Sequence, residues 1–587
     1  MKPRGESEKI SIISYVVIAA FVLLMMRLWQ LQILQGDKYR KLSEANRLRI
    51  VNIPAPRGII FDRNHIPLVK NSAYYFASVV PGEFDRTNIS PLAHLLKMPA
   101  EEVQARLNTP GSSPLVPVRL KHGLSFSEIA HIEARKSDFP GLMIEAEVSR
   151  EYPFGELGAH LIGYLGKPSP SQLKDPAFKD VPRDLFIGQW GIEKLYDTHL
   201  RGVPGQRIIE VNALGRQLRL LRETPPVKGN DITISVDIYL QREAEEAFGE
   251  KAGALVALKP DTGEILGMIS KPSFDPNQFT RGMSRDQWAA ITNNQKNPML
   301  NRALQSQYPP GSTFKIVTAL AGLETGAINP DVRVDCRGAI YMGGRRFGCW
   351  RRNGHGILAF HRALVESCDV YFYEVGRRVG IDKLYEYATG LGLGEKTGIA
   401  LGKERRGLIP STAWKRETRN LPWYPGETLH AAIGQGYVTV TPIQLAFMTG
   451  AIVNGGVRYK PSLIKDTEPQ IAGRSSLNPL NIELIKQGLF GVVNEPSGTG
   501  WAARSSVTTI SGKTGTAQVI ALRQGVTVLS EKFRDHAWFV AFAPFEKPEI
   551  ALVVFVEHGG HGGAAAAPIA RRAINAFLSP KPSLDLQ

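Results

Sequence analysis

A serine and a lysine three residues apart, Ser312 and Lys315, follow Pro309-Pro310-Gly311 and precede the apolar run Ile316-Val317-Thr318-Ala319-Leu320-Ala321-Gly322-Leu323. Proline is excluded from a helix interior, so this order places Ser312 at a helix entry. Residues i and i+3 share a helix face, which lets the Ser312 hydroxyl meet the Lys315 amine. A hydroxyl becomes a nucleophile once a base takes its proton, and burial at the positive end of a helix disfavours a lysine's charged form. Lys315 is therefore expected as an uncharged amine acting as general base. The same spacing recurs at Ser171/Lys174 and Ser462/Lys465, without the proline entry and the apolar helix behind it.

Two further groups follow in order. Ser367-Cys368-Asp369 lies in a helical stretch, and Lys513-Thr514-Gly515-Thr516 on a strand-like one. Acyl transfer needs an activated hydroxyl, a proton route to the leaving amine, and donors for the developing oxyanion. Ser367 suits the relay between Lys315 and the leaving group. The backbone N–H groups of Ser312 and Thr516 suit an oxyanion hole. Lys513, with the hydroxyls of Thr514 and Thr516, suits a terminal carboxylate. Gly515, without a side chain, is expected to let a peptide lie along the strand edge as an added strand. Lys396-Thr397-Gly398 repeats part of the third group, but in the glycine-rich loop Gly390-Leu391-Gly392-Leu393-Gly394, with no strand pattern.

All three cysteines, Cys336, Cys349 and Cys368, fall close together with His355 among them. A Cys3His set is a zinc-binding donor combination. In an oxidising compartment the same residues allow a Cys336–Cys349 disulfide, a buried Cys368 and a surface His355.

The elements that must position these groups belong to a chain of 587 residues, too long for one core. Its 43% hydrophobic and 21% charged residues are those of a folded protein. The net charge of +16 suits an anionic neighbourhood such as a membrane surface; no zinc-finger, P-loop or RNP-like motif accompanies it, so nucleic acid is not expected as a partner. Ile10 to Met26 is uninterrupted apolar sequence, extended past Arg27 by Leu28 to Leu34, and no small-residue cleavage site follows. One retained transmembrane anchor over 10–34 is expected after a short cytoplasmic tail, 1–9. Residues 35–228 mix short strand and helix patterns and read as an elongated α/β pedestal. A Pro/Gly-rich boundary then opens a domain over 229–578, with a terminal tail over 579–587. Within it, Gly253 to Leu258 and Glu264 to Ile269 flank a Pro-Asp-x-Gly turn as a β-hairpin. Strands are expected near Lys513 to Val519, Ala537 to Ala543 and Ile550 to Val556, then a helix from Ala564 to Phe577. This order fits an α+β fold, a five-stranded antiparallel sheet flanked by helices.

Ser-x-x-Lys, Ser-x-Asp and Lys-Thr-Gly in this order resemble the signature of serine β-lactamases and penicillin-binding proteins. Arg57-Gly58-Ile59-Ile60-Phe61-Asp62-Arg63 and the stretch from Gly188 to Gly205 resemble pedestal motifs, and Ile433-Gly434-Gln435-Gly436 a transpeptidase-domain segment, of class B penicillin-binding proteins. The resemblance spans essentially the whole chain. It implies the penicillin-binding transpeptidase fold and a serine-type D-Ala-D-Ala transpeptidase/carboxypeptidase of the inner membrane, with its catalytic domain outside. Ser312 would attack the D-Ala-D-Ala bond of a peptidoglycan stem peptide, with Lys315, Ser367, Asp369 and Lys513 as catalytic residues and Thr514, Gly515 and Thr516 binding substrate. β-Lactams would be inhibitors. Asp369 replaces the asparagine of much of the family, as in the elongation branch, penicillin-binding protein 2. That branch implies a SEDS-family glycosyltransferase and other elongation proteins as partners. Asp369 is expected to orient Ser367 or Lys513. Some members of the branch carry a zinc ion near the active site, which implies one structural Zn2+ on Cys336, Cys349, His355 and Cys368, with Asp335 as competitor to Cys336. A division-type transpeptidase, a D,D-carboxypeptidase or β-lactamase-like hydrolase, and a non-catalytic anchored scaffold or sensor are the alternative readings.

Overall fold

The computed structural model describes residues 4–581 apart from 109–113, 115, 179–180, 182–184, 213–216, 281–282, 284 and 519–532. Among them, one helix is long and apolar enough to cross a membrane. It starts at Arg4, and its apolar stretch Ile12–Leu34 has mean hydropathy 2.2 and no residue buried.

The rest packs as two compact units: residues 1–56, 72–149 and 201–229, and residues 57–71, 150–200 and 230–587. This differs from the linear division at 228/229, because the chain enters the larger unit three times. In the smaller unit, Gly205–Val211 runs antiparallel between Leu48–Ile53 and Gln217–Thr224. Helices Ile89–Leu96, Ala100–Leu107 and Phe126–Glu133 there bury Leu92, Leu96, Val103 and Ile132 in a core shared with Leu120.

In the larger unit, α1 (Ile238–Phe248) leads into strands β1 (Gly253–Leu258) and β2 (Ile265–Lys271). Helices α2 (Lys315–Glu324), α3 (Phe360–Val365), α4 (Asp369–Val379) and α5 (Pro442–Val453) follow. Strands β3 (Ser511–Ala517), β4 (His536–Ala543) and β5 (Ile550–Val556) and helix α6 (Ala567–Leu578) close the unit. The strands form one antiparallel sheet in the order β2-β1-β5-β4-β3. Val519, expected to end β3, lies outside the described residues.

Side chains alternate between sheet faces, so a strand covered on both sides reads as continuous apolar sequence. β1 is such a strand. Ala254, Val256 and Leu258 join the core containing α2 and α5, while Leu255 and Ala257 join the one containing α1 and α6.

The first and second segments of the larger unit are tied to each other by a buried charge network. Arg57 reaches Glu193 at 2.9 Å and Asp197 at 3.0 Å, and Arg150 reaches Glu193 at 2.7 Å and the Gly58 carbonyl at 2.7 Å. Burial alone would raise the Glu193 carboxyl pKa, but Arg150 and Arg57 reverse this and hold it below the ordinary value. Glu193→Ala leaves two buried guanidiniums without their shared partner and should cost about 3–5 kcal/mol in a denaturant titration at pH 7. Because the folded pKa is depressed, this stabilisation is complete above about pH 4.3 and is lost as pH falls through the folded value. The gap between wild type and Glu193→Gln should therefore narrow at pH 3.

Candidate active site

The catalytic turn is fixed from three sides. Tyr308 exchanges backbone hydrogen bonds of 3.0 and 2.9 Å with Val440, and the Trp538 indole N–H donates to the Pro309 carbonyl at 3.0 Å. Gly311 has φ +56° and donates its N–H to the Gly434 carbonyl at 3.0 Å; a Cβ there would lie 2.3 Å from the Thr516 carbonyl oxygen. Glycine is thus demanded by conformation and by space. Ser312 lies in the tighter turn Gly311–Phe314 that leads into α2. It is half-buried, whereas Gly311, Thr313, Phe314 and Lys315 around it are buried.

Ser367 occupies a sharp corner between α3 and α4. Its N–H donates to the Leu364 carbonyl at 3.3 Å, and the Cys368 N–H donates to the Ala363 carbonyl at 2.9 Å. This is a Schellman ending, which places a left-handed residue just past the helix and favours glycine there. Ser367 fills that place with φ +55°, a conformation costing a non-glycine residue about 1–3 kcal/mol.

Lys315, fully buried, satisfies its ammonium at this corner. Its Nζ donates to the Ser367 carbonyl at 2.8 Å, Ser367 Oγ at 3.1 Å and Asp369 Oδ1 at 2.7 Å. Asp369 thus bonds Lys315 directly, and its influence on Lys513 is electrostatic. The nitrogen expected to act as base therefore faces the Asp369 carboxylate at 2.7 Å. Asp369 Oδ2 accepts the Trp350 backbone N–H at 2.8 Å, and the Trp350 indole N–H is shared by the Glu366 and Ser367 carbonyls at 3.1 Å each.

β3 forms the third wall. Lys513 is fully buried, with Nζ 3.3 Å from the Thr514 carbonyl. Burial and the neighbouring Lys315 push its pKa well below the ordinary lysine value, while Asp369 opposes the shift. Thr514 Oγ1 lies 2.7 Å from Thr499 Oγ1, and the Thr516 carbonyl accepts from Gln435 Nε2 at 3.1 Å. β3 is an edge strand, as an added peptide strand requires. Gly515 is also demanded by packing within the chain. A Cβ at this position would meet the Pro310 carbonyl at 2.8 Å and Thr313 Cγ2 at 2.9 Å, so its absence admits the catalytic turn.

Cys336, Cys349, His355 and Cys368 are buried, and their donor atoms lie within 4.8 Å of one another. His355 Nδ1 is 3.5 Å from both Cys336 Sγ and Cys349 Sγ. Tetrahedral bonds of about 2.05 Å to nitrogen and 2.3 Å to sulfur put those atoms about 3.6 Å apart, so the spacing fits a closed metal site. The three thiols are free, with no Cys336–Cys349 disulfide. A hydrogen bond from Cys368 lowers the Cys349 thiol pKa and correspondingly raises that of Cys368. Asp335 is exposed and paired with Arg337 at 2.7 Å, outside the cluster.

The repeated motifs separate from this site. Thr397 and Gly398 are held by Glu404, Lys465 pairs with Asp466, and Lys174 ends a short turn near the surface.

A penicillin-binding protein transpeptidase domain matches residues 253–575, and a penicillin-binding protein dimerisation domain matches residues 52–234. The chain belongs to the penicillin-binding proteins. It is 37% identical to the peptidoglycan D,D-transpeptidase MrdA of Acinetobacter baumannii, over 94% of this chain and 84% of that one. It is 34% identical to MrdA of Escherichia coli K12, over 92% of this chain and 89% of that one. PBP2 in a complex with MreC from Helicobacter pylori superposes with a TM-score of 0.75 at 30% identity, covering 90% of this chain and 98% of that one. These matches place this penicillin-binding protein in the PBP2 branch.

Two residues at the site of this penicillin-binding protein carried no sequence signal, Trp350 and Thr499. Gln435 had one, as part of the Ile433-Gly434-Gln435-Gly436 segment. Asp369→Ala should slow acylation by a penicillin about 10- to 100-fold, the worth of a hydrogen bond to a charged group. Asp369→Asn should lose less, because its amide oxygen still accepts from Lys315. Stopped-flow acylation kinetics compare the two variants.

Proposed function

We infer that the chain is a peptidoglycan D,D-transpeptidase that cross-links stem peptides during cell elongation. One observation carries the reading: a buried lysine amine, one turn from a half-exposed serine, hydrogen-bonds a second serine and a carboxylate beside β3, an edge strand of the sheet among the described residues. The Ser312 proton passes to Lys315 in its amine form as Oγ attacks the carbonyl carbon of the penultimate D-alanine. Asp369, 2.7 Å from that nitrogen, stabilises the ammonium that the transfer forms. The N–H groups of Ser312 and Thr516 hold the tetrahedral oxyanion. On collapse the carbon–nitrogen bond breaks, and Lys315 returns the proton through Ser367 Oγ to the departing D-alanine amine. The acyl group then passes to an amine of a neighbouring stem, with the proton moving in reverse. A substrate carboxylate beside Lys513 supplies a counter-charge that favours the ammonium form its burial disfavours.

Wild-type protein should be labelled by a fluorescent penicillin and Ser312→Ala should not. D-alanine release with and without an acceptor amine then separates transfer from hydrolysis. An unlabelled wild type would sink the enzymatic reading.

We also propose that Cys336, Cys349, His355 and Cys368 hold one structural zinc ion. Three thiolates and an imidazole make a complete tetrahedral set with no open position, so the ion would supply rigidity to the corner containing Ser367. Elemental analysis should give one zinc per chain, and Cys349→Ser should lower both zinc content and melting temperature.

The apolar helix serves as a single-pass anchor, with its N-terminus cytoplasmic and the catalytic unit outside, where peptidoglycan lies. A SEDS-family glycosyltransferase and other elongation proteins are the proposed partners. Supporting this, a structure described as coordinating polymerization and crosslinking in a peptidoglycan synthase complex superposes at TM-score 0.74 and 32% identity over 98% of this chain.

A further inference from the structure

Trp350 lies beside the catalytic corner without belonging to any of the three catalytic motifs. It follows Cys349 directly and packs its ring edge-on against His355 with centroids 5.5 Å apart, so one end of the residue is fixed by the cysteine–histidine cluster. Its two N–H groups reach the other way. The backbone N–H holds Asp369 Oδ2 at 2.8 Å, the carboxylate whose other oxygen holds Lys315. The indole N–H holds the Glu366 and Ser367 carbonyls at 3.1 Å each.

The Glu366 carbonyl is one that a helix leaves without a partner at its C-terminal end, and the Ser367 carbonyl lies just past it. Here the end is a left-handed serine, where the local backbone preference opposes the observed conformation. The Ser367 carbonyl also accepts from Lys315 Nζ at 2.8 Å, so it is fixed by two donors from two different elements. A tryptophan that is 58% exposed gains little from burial, which leaves the two N–H groups as its principal anchors at this corner.

We propose that Trp350 is a positioning residue for acylation: its indole N–H holds the left-handed Ser367 peptide so that the Ser367 hydroxyl stays within reach of Lys315. The proposal rests on the acyl-transfer reading above, with the Lys315–Ser367 hydrogen bond as the proton route. Removing the indole N–H alone loosens the Ser367 carbonyl, while the backbone bond to Asp369 and the metal-ligand residues remain. The defect then falls on the acylation rate constant and not on the noncovalent affinity for a β-lactam.

The test is Trp350→Phe in the full-length protein, with the pre-acylation Kd and the acylation rate constant for a chromogenic penicillin measured by stopped flow. Zinc content and melting temperature are recorded in parallel. The expected result is about a tenfold lower rate constant, unchanged Kd and wild-type zinc content. An unchanged rate constant overturns the proposal. A loss confined to Kd also does so, because it makes the exposed ring a substrate contact. A fall in zinc content accompanying the rate loss overturns it too, since the ring would then act by holding the cluster. If Trp350→Phe does not fold, a benzothienylalanine at position 350 keeps the ring shape, removes the N–H and is read in the same way. Failure of the acyl-transfer reading is distinguishable, because wild-type protein would then not be acylated at all.

Discussion

A lysine ammonium removed from water must find an acceptor for each of its three protons, and Lys315 finds them within one corner of the chain. The Ser367 carbonyl, the Ser367 hydroxyl and one oxygen of Asp369 take one each. Leaving such a charge unpaired costs several kcal/mol, so the start of α4 is constrained relative to α2. The left-handed backbone at Ser367 follows, since it lets one residue offer both its carbonyl and its side chain to the same amine. Lys513 is buried nearby without equivalent acceptors, and its charge is disfavoured accordingly. Two lysines in one pocket are thus distinguished by what faces them.

Much of the frame was legible because its signals are local. β1, β4 and β5 announce themselves as continuous apolar runs, which is what burial on both faces requires. Ser312 and Lys315 share a turn, so spacing alone brings them near each other. Local signals mislead where tertiary packing decides. The stretch Asp231 to Val236 has the alternation of a longer strand, yet the strand itself covers Ile232–Thr233, and Ile234 bridges separately to Ile464. The expected single helix from Ala564 to Phe577 is interrupted at Ala566, with short helix Gly562–Ala565 before α6.

The details of the site that sequence did not disclose all depend on contacts between distant segments. Asp369 could be placed beside Ser367 by motif, but its bond to Lys315 spans 54 positions. Thr499 has no motif of its own and matters through the hydroxyl it offers Thr514. The cysteine–histidine cluster was recognisable by composition, because few other arrangements gather every thiol of a long chain into one short region. Its link to the corner was legible in Cys368, which sits between Ser367 and Asp369, but the second link, through the N–H groups of Trp350, was not.

The buried pairing of Arg57 and Arg150 with Glu193 has a practical bearing on how this molecule can be dissected. The catalytic unit owns residues 57–71 and 150–200 as well as everything from 230 onward, so no single cut in the chain isolates it. A fragment begun at residue 230 would discard the strand Ile60–Phe61, which pairs with Ile232–Thr233, and would leave that seam open to solvent. The excursion over 72–149, by contrast, leaves and returns as one loop. A short bridge from 71 to 150 and a second from 200 to 230 are the natural route to a minimal enzyme, with the anchor and the smaller unit removed together.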